Sequence, residues 1–126
     1  MHVMTRELDI TLPPQPESVG AARHALVDVL AGLDDRTQQG VKVIVSELVT
    51  NAIKHGPDQP IGLRIWRDEG SIRGEIEDEG SGTLHVWRES ERGAQGGYGL
   101  PIVDAMSDSW GVHDGNTRVW FELVAN

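Results

Sequence analysis

The chain of 126 residues contains no cysteine, which excludes disulfides and zinc sites built on thiolates. It also lacks any apolar run that approaches the ~20 residues needed to span a bilayer. Its first residues do not show the charged and then apolar layout of a secretory signal. We therefore expect a cytoplasmic protein with no membrane partner.

Basic residues are scarce, because 11 Lys and Arg oppose 20 Asp and Glu and give a formal net charge of -9. Only Lys42 and Lys54 are lysines, and the arginines are scattered. This charge repels a phosphate backbone, so direct nucleic-acid binding is not expected. The length fits one domain over residues 1–126, and 38% hydrophobic residues can build a single core.

Hydrophobic periodicity predicts the elements of the first half of the chain. Alternation predicts a strand over Arg6–Leu12, and three prolines end it. Apolar residues at helical spacing predict a helix from Glu17 to about Leu33. A second helix, capped by the pair Asp34–Asp35, continues to His55, where Gly56–Pro57 stops it.

The second half of the chain reads as two hairpins separated by a loop and a short helix. Its predicted elements are strands beginning at Ile61 and Ile72, a loop over Thr83–Gln95, a helix over Leu100–Met106, and strands over Trp110–His113 and Arg118–Val124. The predicted class is α+β, a two-layer sandwich with a mixed, mostly antiparallel sheet and helices on one face.

The same alternation predicts an open sheet face that carries tryptophan and arginine. If Leu63, Ile65, Val119 and Phe121 face the helices, the opposite face holds Arg64, Trp66, Arg118 and Trp120. Exposed Trp and Arg are typical interface anchors, although two tryptophans could also cover each other on a solvated face. Our hypothesis is that this face contributes to self-association or to partner binding.

The second helix carries a carboxylate and an amide one turn apart. Glu47 and Asn51 flank an apolar stripe that includes Leu48 and Ala52. A polar group at the edge of a core needs a partner, because burying it alone costs several kcal/mol. The alternative is an ordinary solvated pair, and for His55 it is a packed histidine at a helix end.

Two glycine-containing segments follow. Asp78 ends a predicted strand and is followed by Gly80 and Gly82, which would let a planar ligand approach the backbone; a plain acidic turn is the alternative. Gly97-Tyr98-Gly99-Leu100 opens the short helix, where free N–H groups favour phosphate. No strand precedes it and no Lys-Ser/Thr follows it, so neither a dinucleotide fold nor a P-loop is indicated.

Taken together and in this order, these segments resemble the GHKL ATPase superfamily, whose ATP-binding fold (the Bergerat fold) occurs in gyrase and histidine kinases. Glu47-x-x-x-Asn51 looks like its N box, Asp78-x-Gly80-x-Gly82 its G1 box, and Gly97-x-Gly99-Leu100 its G2 box. Gly115-Asn116-Thr117 looks like a reduced G3 box. The resemblance covers residues 6–124 and is strongest to the small stand-alone bacterial anti-sigma-factor serine kinases.

The chain shows neither of the extra parts that other branches of the superfamily need. The 16 residues before Glu17 are too few for the dimerisation helices of a sensor histidine kinase. Residues after the last strand are too few for the transducer domain of a gyrase-type protein. We therefore expect a stand-alone ATP-binding domain.

The resemblance implies a role for each motif residue. Glu47 is the catalytic base, Asn51 holds Mg²⁺, and Asp78 accepts a hydrogen bond from the adenine amine. Guanine offers an acceptor at that position, so ATP is expected to bind better than GTP. The nucleotide-binding residues implied are Asn51, His55, Asp78, Gly80, Gly82, Gly97, Tyr98, Gly99, Leu100 and Thr117, with Thr83–Gln95 as a short lid.

One departure from the pattern concerns phosphotransfer. Relatives that phosphorylate a partner often carry an arginine just ahead of the G2 glycines, where this chain has Gln95; Arg92 is a possible phosphate contact in its place. Two hypotheses follow: a serine/threonine kinase that acts on an anti-anti-sigma protein and sequesters a sigma factor, or an ATP-binding partner-switching module with little or no kinase activity. The resemblance also implies a homodimer. A structural protein without nucleotide would need three ordered motifs by accident.

Overall fold

The computed structural model describes residues 6–55, 58–78, 100–113 and 118–124. Its five strands and three helices follow the order β-α-α-β-β-α-β-β that the sequence predicts. The elements are β1 (Arg6–Leu12), α1 (Glu17–Leu30), α2 (Asp35–His55), β2 (Ile61–Arg67), β3 (Ser71–Asp78), α3 (Leu100–Met106), β4 (Ser109–His113) and β5 (Arg118–Val124). None of the described helices is long and apolar enough to cross a bilayer.

The strands form one sheet in the order β1-β2-β3-β5-β4. Every pair among the described strands is antiparallel, so the parallel pair that a mixed sheet would contain is not among them. The predicted α+β class with helices against a mostly antiparallel sheet is confirmed. β5 lies between β3 and β4, and its alternate residues Val119, Phe121 and Leu123 are all buried. The inner residues of the edge strand β4 are only partly buried.

The core lies between the helices and one sheet face. Alternate residues of the strands point into it, and α1 and α2 each add an apolar stripe at helical spacing. Leu63, Ile65, Val119 and Phe121 are at most 1% exposed, so the predicted inner face is confirmed. The opposite face of the sheet carries the alternate, polar residues and is left uncovered by the described helices.

The first helix ends at Leu30, three residues before the predicted end at Leu33. Ala31 leaves the helical conformation with ψ 134°, and Gly32 follows at φ +87°, a left-handed conformation that glycine adopts without penalty. Arg67 of β2 then donates hydrogen bonds from one guanidinium nitrogen to the carbonyl oxygens of Val29 (3.0 Å) and Ala31 (2.6 Å). A cation at a helix C-terminus also suits the helix dipole. These interactions come from a distant strand, so helical periodicity could not predict them.

The second helix is capped by Asp34, as the sequence predicts. The Asp34 carboxylate accepts one hydrogen bond from the Thr37 hydroxyl (2.7 Å) and one from the Thr37 backbone N–H (3.1 Å). These two bonds, the hydroxyl's being the stronger influence, hold the pKa of Asp34 below its ordinary value. The cap therefore favours the ionised carboxylate.

We expect Asp34→Ala to lower the free energy of unfolding at pH 7, because it removes both hydrogen bonds of the cap. A carboxylate with a lowered folded-state pKa stabilises the fold above its ordinary pKa of ~3.9, and this stabilisation is lost as pH falls through the folded-state value. The difference between wild type and variant should therefore narrow below about pH 4. Urea unfolding from pH 3 to 7 measures it. Asp35→Ala, a change at the neighbouring exposed carboxylate, is the control, and an equal loss there would contradict the cap.

The centre of the sheet depends on a glycine under an aromatic ring. Gly74 of β3 pairs with Phe121 of β5 and Ile65 of β2, and both neighbours are fully buried. A Cβ at Gly74 would overlap Phe121 Cζ and lie 2.9 Å from Ile65 Cδ1. No real Cβ approaches side-chain atoms so closely, so the ring of Phe121 fills the space that Gly74 leaves.

We expect Gly74→Ala to reduce the free energy of unfolding by ~1–3 kcal/mol, the usual cost of inserting a methyl group into a packed core. Phe121 would have to leave its site, since Ile65 closes the other side. Urea denaturation measures the loss. Gly20→Ala is the matched control, because α1 leaves open space at that position and alanine favours helix; it should stabilise slightly. Equal stability of Gly74→Ala and wild type would show that the core tolerates the methyl group.

Candidate functional site

The N-terminal part of α2 fixes the direction in which this helix crosses the sheet. A Cβ at Gly40 would lie 3.1 Å from Leu123 Cδ2, and Leu123 pairs with Ile72 near the start of β3. Asn51 is eleven residues further along α2, a rise of ~16 Å. Asp78 is six residues beyond Ile72, a distance of ~20 Å along β3. The last turns of α2 and the end of β3 therefore lie at the same end of the domain.

The connection that follows α2 agrees with this placement. Only residues 56–60 separate the end of α2 at His55 from Ile61, and Ile61 is the register partner of Asp78. α2 also packs directly against β3 and α3. The structure thus brings the predicted residues Asn51 and Asp78 to one end of the sheet from positions 27 residues apart in the chain.

Asn51 is buried, at 5% exposure, although it carries a polar side chain. Its neighbours Leu48 and Ala52 belong to the core stripe, and helical spacing places Asn51 beside them. Among the described residues, no partner accepts a hydrogen bond from its buried Nδ2 atom. A buried amide without a partner costs ~1–3 kcal/mol. A ligand that offered phosphate oxygens, or a cation once the amide turns its oxygen outward, would remove that cost.

Glu47 lies one turn before Asn51 and is half-buried. Residues four apart on a helix are neighbours on one face, so the Glu47 carboxylate and the Asn51 amide can reach the same ligand. Partial exposure leaves the carboxylate accessible to a group that arrives from solvent. Both residues therefore lie on one flank of the apolar stripe, as predicted, and Asn51 is more buried than Glu47.

Asp78 is the last residue of β3 and is 1% exposed. The alternation of β3 directs it to the inner face, the face that Ile72 and Ile76 share. A plain acidic turn would place a carboxylate in solvent, so this burial does not fit that alternative. A buried carboxylate is held in one orientation, which suits the recognition of one hydrogen-bond donor.

Several predicted positions lie outside the described residues. These are Gly80, Gly82, Arg92, Gln95, Gly97, Tyr98, Gly99 and Thr117. The backbones of His55 and Leu100 are described as the last residue of α2 and the first residue of α3, without their side chains. Their roles at the site stay predictions. α3 itself forms as predicted and buries Val103 in the core.

The comparison with protein families decides what kind of domain this is. The model of the histidine kinase-like ATPase domain matches residues 12–123. The chain belongs to the histidine kinase-like ATPase domain family. The resemblance drawn from the three motifs is therefore confirmed at the family level. The assignment of the buried Asn51 and Asp78 to its N box and G1 box stays a prediction.

Two relatives show where in the family the similarity lies. The serine-protein kinase RsbW of Oceanobacillus iheyensis is 31% identical over 80% of this chain and 75% of its own length. The anti-sigma F factor of Halalkalibacterium halodurans is 33% identical over 66% of this chain and 61% of its own length.

A solved structure is similar in fold. It contains the RsbU and RsbW domains of a Mycobacterium tuberculosis protein, with a TM-score of 0.70 and 20% identity. The similarity covers 96% of this chain and 33% of that chain. It supports the α+β fold described above, over nearly the whole of this domain.

Proposed function

We propose that this protein binds Mg-ATP and transfers the γ-phosphate to a serine or threonine of an anti-anti-sigma protein, and that it sequesters a sigma factor. The observation that carries the proposal is the buried Asn51 amide without a described partner, one turn after Glu47, in a chain of this ATPase family. The names of the relatives, a serine-protein kinase and an anti-sigma factor, support the choice of reaction and partner.

The adenine end of the site would depend on Asp78. Its buried carboxylate would accept a hydrogen bond from the exocyclic amine of adenine, whereas guanine presents an acceptor oxygen there and the two acceptors would repel. Burial strengthens this discrimination, because the repulsion between two acceptors is screened less in a buried site than in water. Gly80 and Gly82 would leave room for the base beside the backbone.

The phosphate end would depend on Asn51 and the G2 segment. Asn51 Oδ1 would be a protein ligand of Mg²⁺, an ion that takes most of its octahedron from phosphates and water. When bound, the ion neutralises charge on the β- and γ-phosphates. Backbone N–H groups at Gly97 and Gly99 would hold phosphate oxygens, with Arg92 as a further contact.

Glu47 would accept the proton of the attacking hydroxyl. The serine oxygen forms a bond to the γ-phosphorus, the bond between that phosphorus and the β,γ-bridging oxygen breaks, and ADP leaves with the electron pair. The proton of the serine hydroxyl passes to the Glu47 carboxylate, which later returns it to solvent. Nucleotide binding alone needs no such base, so the presence of Glu47 favours catalysis.

The proposed setting follows from the proposed partners. Sigma factors act on RNA polymerase inside the bacterial cell, so we place the protein in the cytoplasm, as a regulator of transcription. We also propose that it works as a homodimer.

A second candidate is supported by Gln95, which stands where kinase relatives often carry an arginine. Without that cation, the protein would bind ATP and sequester its partner with little or no phosphotransfer. Both candidates use the same Asn51 and Asp78, so nucleotide binding does not separate them.

Phosphotransfer separates the two candidates. The full chain is incubated with γ-³²P-labelled ATP, Mg²⁺ and the anti-anti-sigma candidates encoded beside its gene, and labelled residues are located by mass spectrometry. We expect label on one partner serine or threonine, and no label when that residue is replaced by alanine. Sequestration of a sigma factor without any label would leave the binding module as the function.

A further inference from the structure

The two edges of the sheet, β1 and β4, differ in how far they are protected against pairing with another chain. β4 has only five residues, and its Trp110 Nε1 donates a hydrogen bond to Asp104 Oδ1 of α3 at 2.9 Å. A short edge strand held against a helix offers little backbone to a new strand. Of the two edges, β4 is therefore the protected one.

β1 lacks these protections. All seven of its residues pair with β2 in one continuous register, so the strand contains no bulge. Its sequence, Arg6–Leu12, has neither proline nor lysine, the residues that most often block an edge. No described strand lies beyond it. Every second residue of an edge strand directs its N–H and C=O groups away from the sheet, so β1 presents a regular row of donors and acceptors.

A groove of about 540 Å³ lies between β1 and α1, and its lining includes the apolar residues Leu8, Ala25 and Val29. Leu8 and Ile10, which face the core from β1, are only partly buried, whereas their register partners on β2 are fully buried. The difference arises because β2 has a strand on each side and β1 has one. A further strand beside β1 would cover this apolar surface.

The other face of β1 carries acidic side chains. Glu7 and Asp9 are exposed and alternate with the inner residues. Asp9 pairs with Arg64 at 3.6 Å on the exposed surface, where such a pair contributes little, and Glu7 makes no ion pair with a described residue. The whole chain has a net charge of -9, which also attracts basic partners. Side chains opposite Glu7 and Asp9 on a new strand should therefore be basic.

A second copy of β1 does not meet this requirement. Antiparallel pairing of two copies through all seven residues places Asp9 directly opposite Asp9. A shift of the axis by one residue toward the start of the strand places Glu7 opposite Asp9. Like charges in directly opposed positions destabilise a strand pair. Charge therefore favours a different chain as the occupant.

We propose that β1 accepts an extended segment of another protein as a sixth strand, and that apolar residues in this segment alternate with basic ones. The apolar residues would enter the groove beside Leu8, and the basic residues would face Glu7 and Asp9. Leu12, at the other end of β1, shares a row with Ile61 and Asp78. The groove thus lies away from Asp78, and the proposal does not depend on the nucleotide chemistry.

Nuclear magnetic resonance of the full, ¹⁵N-labelled chain tests the proposal with a capped nine-residue peptide in which valine alternates with lysine. We expect saturable binding, and solvent exchange of every second backbone amide of β1 should slow at least ~10-fold when peptide saturates the protein. One control peptide has the same composition with its valines grouped, and another has glutamate in place of lysine. Both should bind at least ~10-fold more weakly.

Variants at the edge test the contacts. Glu7→Lys should weaken binding of the lysine peptide at least ~10-fold, and Glu69→Lys, the same change in the exposed turn after β2, is its control. Glu7→Lys combined with Asp9→Lys should reverse the preference, so that the glutamate peptide binds better. Ala25→Leu fills the groove and should also weaken binding at least ~10-fold. Val27→Leu is its control, because Val27 is exposed and lies ~200° around α1 from Ala25.

Circular dichroism confirms that each variant is folded before its affinity is interpreted. A wild-type chain that does not bind the alternating lysine peptide at about 1 mM, or that binds the grouped peptide equally well, would overturn the proposal. Binding that slows no amide of β1, or that Glu7→Lys and Ala25→Leu leave unchanged, would overturn it as well. Protection of the same β1 amides that increases with protein concentration, without peptide, would identify a second copy as the occupant and refute the choice of partner.

Discussion

Replacement of Glu47 by glutamine is expected to lower phosphotransfer to the partner by roughly 10²- to 10⁴-fold, the usual contribution of a positioned base. The amide has nearly the shape of the carboxylate but cannot accept the proton of the attacking hydroxyl. That proton moves only as the new bond to phosphorus forms, so the carboxylate acts mainly in the transition state. The affinity for Mg-ATP should therefore stay within ~3-fold of wild type.

Two measurements on the same variant separate these effects. Initial rates of label transfer report catalysis, and calorimetric titration with Mg-ATP reports binding. Glu69→Gln is the matched control, since it makes the same chemical change in the exposed turn between β2 and β3. A Glu47→Gln protein that no longer binds ATP would show that this carboxylate belongs to the binding site and that its assigned role is wrong.

Replacement of Asp78 by asparagine is expected to weaken ATP binding ~10-fold or more. In the proposed site the carboxylate would make a charge-assisted hydrogen bond to the adenine amine, about twice as strong as one between neutral groups. Loss of such a bond in a buried site costs ~1–3 kcal/mol. The rate of phosphotransfer should fall only because less ATP is bound, and a saturating ATP concentration should recover most of that rate.

The preference for adenine provides a second readout. An amide presents both an acceptor and donors, so Asp78→Asn should lose much of the discrimination between ATP and GTP. The melting temperature without nucleotide shows whether the fold survives, and Asp35→Asn is the exposed control. Unchanged ATP affinity and unchanged discrimination in a folded Asp78→Asn protein would remove Asp78 from the adenine site.

Much of the fold could be predicted from local patterns. Alternation on β1, β2, β3 and β5 predicts which residues are buried, because a half-covered sheet separates its faces with a period of two. Helical spacing predicts α2, including its cap at Asp34, because the capping interaction joins residues three apart. In both cases the interacting groups are close in the chain.

The features that could not be predicted depend on contacts between distant segments. The end of α1 depends on Arg67 of β2, 36 residues beyond Ala31. The strand order depends on which strand of the last hairpin pairs with β3. Apolar and polar residues alternate in both strands of that hairpin, so the sequence pattern does not choose between them. Arg73, which stacks on Trp120, was missed by the sequence analysis because only pairing of β3 with β5 makes them neighbours.

In the candidate site, too, features that depend on residues close in the chain could be predicted, and features that depend on distant segments could not. The spacing of Glu47 and Asn51 predicts that they share a helix flank, and the structure confirms it. That Asn51 lies at the same end as Asp78, and that both are buried, depends on the path of α2 over β3. Sequence order alone gives the motifs; only the packing of α2 on the sheet brings them together.

The most direct test of this account is a pair of calorimetric titrations of the wild-type chain, with ATP and with GTP, each with Mg²⁺. We expect saturable binding of one ATP per chain and at least ~10-fold weaker binding of GTP, because the buried Asp78 carboxylate would accept a hydrogen bond from the exocyclic amine of adenine, where guanine presents an acceptor oxygen. Equal affinities for the two nucleotides, or no binding of ATP, would contradict it.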